Sequence, residues 1–342
     1  STLYLYKNSK IIKIAFCVTK CNNKHFLIHT CSKIKKTGGL MAEYVFMNGE
    51  YVEADKAVIP VRTHAFLYGT SVFEGIRAYY NKDENQLYAF RVKEHYERLL
   101  RSAKVMWMKS PYTLEEYAQI TRDLLRKNAY QTDVYIRPTL YKSSQKVGPT
   151  LTDNEDSFLI FTTPFGDYFD GALKLCVSSW RRTSDNAIPP RAKVSGAYAN
   201  SALIKTDAHE AGFDDAVVLS ESGQVTEGSA MNIFLVMNGT LVTSSTTDDI
   251  LVGVTRNTVI ELARELGITV KERPIDRTEL YAADEVFCCG TGAQIVPVES
   301  IDHREVSNEK VGAITKQIQS LYFDVVRGKV EKYKEWCIPV YD

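Results

Sequence analysis

The chain predicts an α+β fold of two lobes enclosing a cleft, and three observations lead there. Its 342 residues are 44% hydrophobic and 11% aromatic, enough apolar side chain for one large core or two modest ones. Short alternating segments are interleaved with amphipathic helical stretches along the body of the chain. Near the middle, Thr163-Pro-Phe-Gly-Asp-Tyr-Phe-Asp-Gly171 breaks the pattern with the residues of an interdomain connection. The expected domains are a small α/β lobe over 41–164, a linker over 165–172 and a larger lobe over 173–342.

Residues 1–40 stand apart, with eight lysines (7, 10, 13, 20, 24, 33, 35 and 36) and no Asp, Glu or Arg. They read as a disordered leader or an upstream extension. The apolar run Ile11 to Val18 is broken by Lys13, too short to span a bilayer, and no small-residue cleavage site follows. Cys17, Cys21, His25 and His29 are spaced by three-residue gaps and have no partner knuckle, so no metal site is expected.

In the body, Tyr44 to Val52 reads as a hairpin turning at Asn48-Gly49. Strands Phe73 to Arg77 and Gln86 to Arg91 flank the polar turn Asn81 to Asn85. Helices follow at Val92 to Met106 and Leu114 to Asn128, then strands at Tyr135 to Tyr141 and Ser157 to Thr163. Past the linker come the strand Leu173 to Trp180, the helix Ala199 to Ala211, and strands at Ala216 to Leu219, Asn232 to Val236 and Thr240 to Val242. The periodic helix Asn257 to Leu266 ends at Gly267, the strand Ile268 to Glu272 follows, and Val311 to Arg327 supplies a last helix.

Composition excludes some functions. Lys and Arg number 42, as do Asp and Glu, so no overall field draws the chain to nucleic acid, and no segment suits a membrane. Seven cysteines without framework spacing point to reduced thiols and a cytoplasmic setting.

Chemistry concentrates at Lys193, in Arg191-Ala-Lys-Val-Ser-Gly-Ala-Tyr198. Its small neighbours leave room for a planar ring, and a desolvated lysine amine is a nucleophile toward an aldehyde. Taken alone, a loop lysine is more often a solvated one. Glu227, in Val225-Thr-Glu-Gly-Ser-Ala-Met-Asn-Ile-Phe234, is an acid in a Gly-Ser turn that suits a pyridine nitrogen, although such turn acids usually face water. Gly253-Val-Thr-Arg-Asn257 precedes a helix, and Cys289-Gly-Thr-Gly-Ala293 follows an apolar run; each Gly-Thr turn is a weak anion site, and two are more suggestive. Arg98 offers a cation for the same anion. Tyr68-Gly-Thr-Ser-Val-Phe-Glu-Gly-Ile-Arg77 reads as a pocket wall or a core strand. Alternation puts Tyr135 and Arg137 on one strand face, suited to a carboxylate or to a structural pair.

These motifs, in this order, resemble the class IV pyridoxal-phosphate (PLP) aminotransferases, in the bacterial and archaeal type of branched-chain amino acid aminotransferase. The resemblance runs from about Met41 to Trp336. It implies PLP as cofactor, with Lys193 forming the Schiff base, Tyr198 beside the ring, Glu227 on the pyridine nitrogen, and Arg98, Val254, Thr255 and Thr291 on the phosphate. Phe73, Tyr135, Tyr168, Thr291, Gly292 and Ala293 would line the substrate pocket, with Arg137 organising it. Tyr68 and the loop at Val147-Gly-Pro149 would reach in from a partner subunit, implying a homodimer or larger homo-oligomer. The implied reaction moves the amino group of L-leucine, L-isoleucine or L-valine to 2-oxoglutarate, reversibly. D-amino acid aminotransferase and aminodeoxychorismate lyase share the fold, and an inactive binding paralogue is a further alternative; the D-specific Arg-x-His pair is absent near Tyr135 to Gly148. Phe165, Met231 and Val252 depart from the residues common in the family and bear on pocket shape.

Overall fold

The computed structural model of the protein describes residues 2–7, 10–15, 43–307 and 311–342. Residues 1–41 and 42–342 are separate compact units. In the first, strands Thr2–Lys7 and Lys10–Ala15 pair antiparallel. Cys17, Cys21, His25 and His29 lie outside the described residues.

The second unit holds two sheets, which the sequence divides near the expected linker. Among the described residues the first sheet has eight strands. They run Cys337–Pro339, Gln86–Phe90, Ile76–Asn81, Val134–Lys142, Asp156–Pro164, Tyr44–Met47 and Glu50–Glu53, with Ser71–Phe73 also paired to Val134–Lys142. Asn48 and Gly49 both take positive φ, 52° and 93°, as a two-residue hairpin turn requires. Helices Val92–Val105 and Leu114–Asn128 bury Tyr96, Leu99, Tyr117 and Leu124 against the sheet's Ile76, Leu87 and Ile136. The second helix starts in a Thr113–Glu116 capping box, which satisfies two backbone N–H groups reciprocally.

Residues 173–305 build the second sheet, nine-stranded among the described residues: Val225–Gly228, Asp215–Leu219, Leu173–Arg181, Gln294–Ile301, Glu285–Gly290, Asn232–Met237, Thr240–Thr243 and Val270–Glu272, with Arg304–Glu305 on Gln294–Ile301. Leu173–Arg181 is parallel to both its neighbours, and helix Tyr198–Glu210 makes the crossover to Asp215–Leu219. The last strand, Cys337–Pro339, belongs to the first sheet although it follows the helix Ala313–Val326 in the chain. One buried cluster joins Tyr79 and Phe90 of the first sheet to Phe234, Phe287 and Tyr322 beyond the linker.

Two local departures from expectation shape the site. The strand expected over Phe73 to Arg77 is broken at Glu74-Gly75, where the Glu74 N–H bonds the Pro138 carbonyl at 2.9 Å and its side chain turns inward. The helix expected from Asn257 begins at Val254, because Gly253 serves as its N-cap. That shift puts Val254 and Thr255 in the first turn, where backbone N–H groups lack intrahelical acceptors.

Candidate active site

A cavity of about 360 Å³ opens among the two sheets, the Phe165–Phe169 segment and helix Tyr198–Glu210. Thirteen of the residues singled out from sequence line it: Phe73, Arg98, Tyr135, Arg137, Tyr168, Lys193, Tyr198, Glu227, Val254, Thr255, Thr291, Gly292 and Ala293. Tyr68 is the exception. Its hydroxyl accepts from the Gly148 N–H at 2.8 Å, so it lies with the Val147-Gly-Pro149 loop and not at this cavity.

Lys193 is half-buried. Its backbone is fixed at both ends of the peptide: the N–H donates to Ser102 Oγ at 3.0 Å, and the carbonyl accepts from Phe73 N–H at 3.1 Å. Nζ donates to the Tyr198 hydroxyl at 2.7 Å, and lies 5.0 Å from the centre of the Phe73 ring. Small residues around it matter here for a specific reason. Gly69, at φ 67°, meets Gly196 so closely that a Cβ would stand 2.7 Å from Gly196 Cα. The lysine loop is thereby pressed onto the first sheet.

Glu227 lies on the short strand Val225–Gly228, not in a turn, and is only 3% exposed. Arg182 Nη2 approaches its Oε1 at 2.7 Å; Oε2 accepts from Asn232 Nδ2 at 3.0 Å and from the Leu251 N–H at 3.3 Å. Burial raises its pKa above the usual carboxylate range, with Arg182, the Leu251 N–H, Lys193 and Arg98 opposing. Arg182 and Asn232 were not singled out from sequence; nothing in Trp180-Arg-Arg-Thr183 marks one arginine as the partner of a distant acid.

Arg98 is clamped by Glu74, a further residue that sequence reading passed over. Nε and Nη2 donate to the two carboxylate oxygens at 2.6 and 2.7 Å, and Nη1 donates to the Val252 carbonyl at 3.0 Å. His95 Nδ1 lies 2.7 Å from Glu74 Oε2. Burial alone would raise the Glu74 pKa, yet Arg98, by charge and hydrogen bonds, and His95 hold it well below the usual range. Burial lowers the His95 pKa, with the Glu74 hydrogen bond and charge opposing; toward an ionised carboxylate, which only accepts, Nδ1 is the donor. The only sequence signal for Glu74 is an acid set among the apolar Val72, Phe73 and Ile76.

Beside Arg98, the helix Val254–Glu265 starts without a side-chain cap. A Ser or Asp cap would take up first-turn N–H groups; Gly253 leaves them to an anion, whose charge the helix dipole favours. A Cβ at Gly253 would also stand 2.2 Å from Asn232 Oδ1. The turn Thr291-Gly-Ala293 joins strands Glu285–Gly290 and Gln294–Ile301 at the same cavity.

The substrate side is aromatic. Phe73 packs on Tyr198 at 4.9 Å, Tyr135 on Phe165 at 5.3 Å, and Phe165 on Tyr168 at 5.9 Å between ring centres. Arg137 and Tyr135 do share a face: Nε donates to the Tyr135 hydroxyl at 3.1 Å, and the guanidinium lies 4.2 Å from the Phe73 ring centre. Of the three departures, Phe165 and Met231 line the cavity. Val252 contributes only its carbonyl, to Arg98.

The donor set fits pyridoxal phosphate. An amine for the aldehyde, a buried carboxylate for the ring nitrogen, and a cation with a helix N-terminus for the phosphate all face one cavity of ligand size. Among the described residues no cluster of His, Cys, Asp and Glu suits a metal ion, and no helix is long and apolar enough to cross a membrane.

Comparison with known proteins agrees with this chemistry. Residues 71–301 match the family model described as Amino-transferase class IV. A probable branched-chain-amino-acid aminotransferase of Aquifex aeolicus (strain VF5) is 49% identical over 303 residues, covering 88% of this chain and 97% of the relative. The crystal structure of the branched-chain aminotransferase from the archaeon Thermoproteus uzoniensis with norvaline superposes with a TM-score of 0.85 at 41% identity, covering 88% of this chain and all (100%) of the other. The PLP form of the branched-chain amino acid aminotransferase from Thermobaculum terrenum gives 0.85 at 38% identity, covering 89% and 100%.

Proposed function

The chain belongs to the class IV aminotransferases and is a PLP-dependent branched-chain amino acid aminotransferase, and on that premise we propose how its residues divide the work. The observation that carries the assignment is the meeting of Lys193, Glu227 and Arg98 at one cavity. Bound there, the cofactor supplies an electron sink for negative charge developing at the substrate α-carbon.

Lys193 Nζ would hold the cofactor aldehyde, and as a free amine the same nitrogen would serve as general base and general acid for the substrate α-proton. The Tyr198 hydroxyl, 2.7 Å from Nζ, keeps the free amine directed into the cavity. Glu227 receives the pyridine nitrogen, oriented by Arg182 and Asn232. Arg98, the first turn at Val254 and Thr255, and Thr291 hold the phosphate. Phe73, Tyr135, Tyr168 and the Gly292-Ala293 turn enclose the substrate, with the aromatic wall taking an aliphatic branch. Arg137 and the Tyr135 hydroxyl give the same pocket a cation and a donor for the second carboxylate of glutamate or 2-oxoglutarate. L-Leucine, L-isoleucine and L-valine are the donors and 2-oxoglutarate the acceptor.

The active enzyme is a homodimer, or an assembly of dimers, in the cytoplasm. Tyr68 and the Val147 loop lie together outside the chain's own cavity, and Val61, Phe66 and Val147 near them are more than 70% exposed. Apolar side chains gathered so openly support a covered surface. Free thiols at Cys176, Cys288, Cys289 and Cys337 support a reducing compartment.

The test is a panel of L- and D-amino acids with 2-oxoglutarate, run beside Lys193→Ala. L-Leucine, L-isoleucine and L-valine are turned over, and the variant loses at least roughly 10²-fold. Equal turnover of D-alanine and L-leucine overturns the assignment; a monomer in sedimentation overturns the shared site.

A further inference from the structure

Helix Tyr198–Glu210 presents Tyr198, Ser201 and Lys205 along one face, three and four residues apart, and all three line the cavity. Tyr198 meets Lys193 Nζ. Lys205, about 10 Å further along the helix at ~1.5 Å per residue, is a second ammonium at the same cavity, with no part in the proton transfer. A lysine on a helix face ordinarily carries its head into water. Lys205 instead turns to two partners: Nζ lies 3.4 Å from Asp215 Oδ2 and donates to the Tyr168 hydroxyl at 3.1 Å. The ammonium also lies 4.7 and 5.1 Å from the ring centres of Tyr168 and Phe169.

The two partners differ in how firmly they are held. Asp215 is buried at the start of the strand Asp215–Leu219, where Oδ1 accepts from the Ala216 and Ser229 N–H groups at 2.7 and 3.1 Å and Oδ2 accepts from Ser229 Oγ at 2.9 Å. It is a fixed anchor. Tyr168 is half-exposed, in a connection between Asp156–Pro164 and Leu173–Arg181 that has neither helix nor strand. Its ring contacts, with Phe165 at 5.9 Å and Phe169 at 4.6 Å, stay within that connection. Among the described residues the bond to Lys205 is the one hydrogen bond of its side chain outside the connection and the Val147-Gly-Pro149 loop. Burial disfavours the Lys205 charge, but the Tyr168 hydroxyl and Asp215 outweigh it and raise the pKa, so the ammonium persists at neutral pH.

We propose that Lys205 is a positioning residue for substrate: anchored on Asp215, its ammonium ties Tyr168 to the helix Tyr198–Glu210 and fixes the ring as a wall for the substrate side chain. This rests on reading the cavity as the amino-acid site and Tyr168 as part of its lining. A ring held in place beforehand surrenders no rotamer freedom when substrate arrives, so its contact with an aliphatic branch counts in full. Untied, the same ring must be ordered by the substrate itself.

The test uses the PLP-loaded full chain as wild type, Lys205→Met, Tyr168→Phe and the double variant. Three quantities are read: kcat and KM for L-leucine, the visible absorption band of the bound cofactor, and hydrogen exchange over 165–172. Lys205→Met keeps the apolar stem and loses the ammonium; Tyr168→Phe keeps the ring and loses the hydroxyl. Each raises KM roughly fivefold, the scale of one net hydrogen bond, with a smaller change in kcat. The cofactor band is kept and exchange over 165–172 quickens in both. Because both substitutions remove one and the same bond, the double variant is no worse than either single one. An unchanged KM in either folded single variant overturns the proposal, as do losses that multiply in the double variant or exchange that stays at the wild-type rate. If Lys205→Met does not fold, Tyr168→Phe decides by KM and exchange. A wild type that fails to convert L-leucine instead overturns the reading of the cavity, while the exchange result still judges the tie.

Discussion

Glu74→Gln isolates what holds the phosphate arginine. Glu74 is 0% exposed, and both carboxylate oxygens are engaged by Arg98, one of them also by His95. Gln is nearly isosteric, so packing is kept and the loss is of charge and of one acceptor. Leaving Arg98 buried without a counterion costs about 3–5 kcal/mol in the cofactor-free protein. For a domain of this size ~3 kcal/mol lowers Tm by about 6–12 °C. Arg98 lines the cavity, so an anion bound there restores part of the loss. The variant is therefore destabilised less with PLP bound than without it. Inorganic phosphate raises the Tm of the cofactor-free variant more than that of wild type. Linkage adds a sign for pH. The Glu74 pKa is depressed in the folded state, so its contribution is present above the ordinary carboxylate value of about 4.3 and is lost as pH falls toward the folded one. Glu74→Gln flattens the acid limb of the stability curve. The assay is thermal unfolding of cofactor-free and PLP-loaded protein, with and without phosphate. Equal losses in all four conditions refute the claim that Arg98 faces an anion site, and no loss at all refutes the worth assigned to the buried pair.

Three further outcomes are expected. Tyr198→Phe keeps the ring packed on Phe73 but removes the 2.7 Å bond to Lys193 Nζ, worth ~1–2 kcal/mol, so kcat with L-leucine falls roughly 5–30-fold; an unchanged kcat removes the hydroxyl from the mechanism. Gly75→Ala sets a Cβ 2.5 Å from the Tyr135 hydroxyl, forcing Tyr135 off Arg137. KM for 2-oxoglutarate rises, and stability falls by about 1–3 kcal/mol, as overpacking predicts; steady-state kinetics and denaturant unfolding check both. Finally, the Glu227 pKa is raised in the folded state, so the native protein binds this proton more tightly than the unfolded chain. Cofactor-free stability therefore declines as pH rises from about 4.3 toward the folded value, and Glu227→Gln loses that decline. Chemical denaturation of both proteins across that range is the measure, and identical slopes would contradict it.

Much of the site was legible because its signals are local. The residues flanking Lys193 announce a permissive loop, two-residue alternation puts Tyr135 and Arg137 together, and Gly-Thr turns mark backbone able to meet an anion. The element order was legible for the same reason, since helix and strand periods are written in runs of neighbours. What failed was pairing across distance. Glu74 lay unmarked inside a segment read as one strand, and only the fold brings Arg98 and His95 onto it. Arg182 had an equal claim with Arg181 until the crossover helix set Leu173–Arg181 beside Asp215–Leu219, the strand that pairs with the one bearing Glu227.

By itself, then, the sequence determined the chemistry on offer: an amine, an acid, two anion turns and an aromatic wall, in an order characteristic of one family. The tertiary structure alone decided which charges are buried and what neutralises each of them. Glu227 answers Arg182, Arg98 answers Glu74, and Lys205 answers Asp215. The physical reason is that burial and Coulomb energy depend on separation in space, while sequence patterns report separation along the chain.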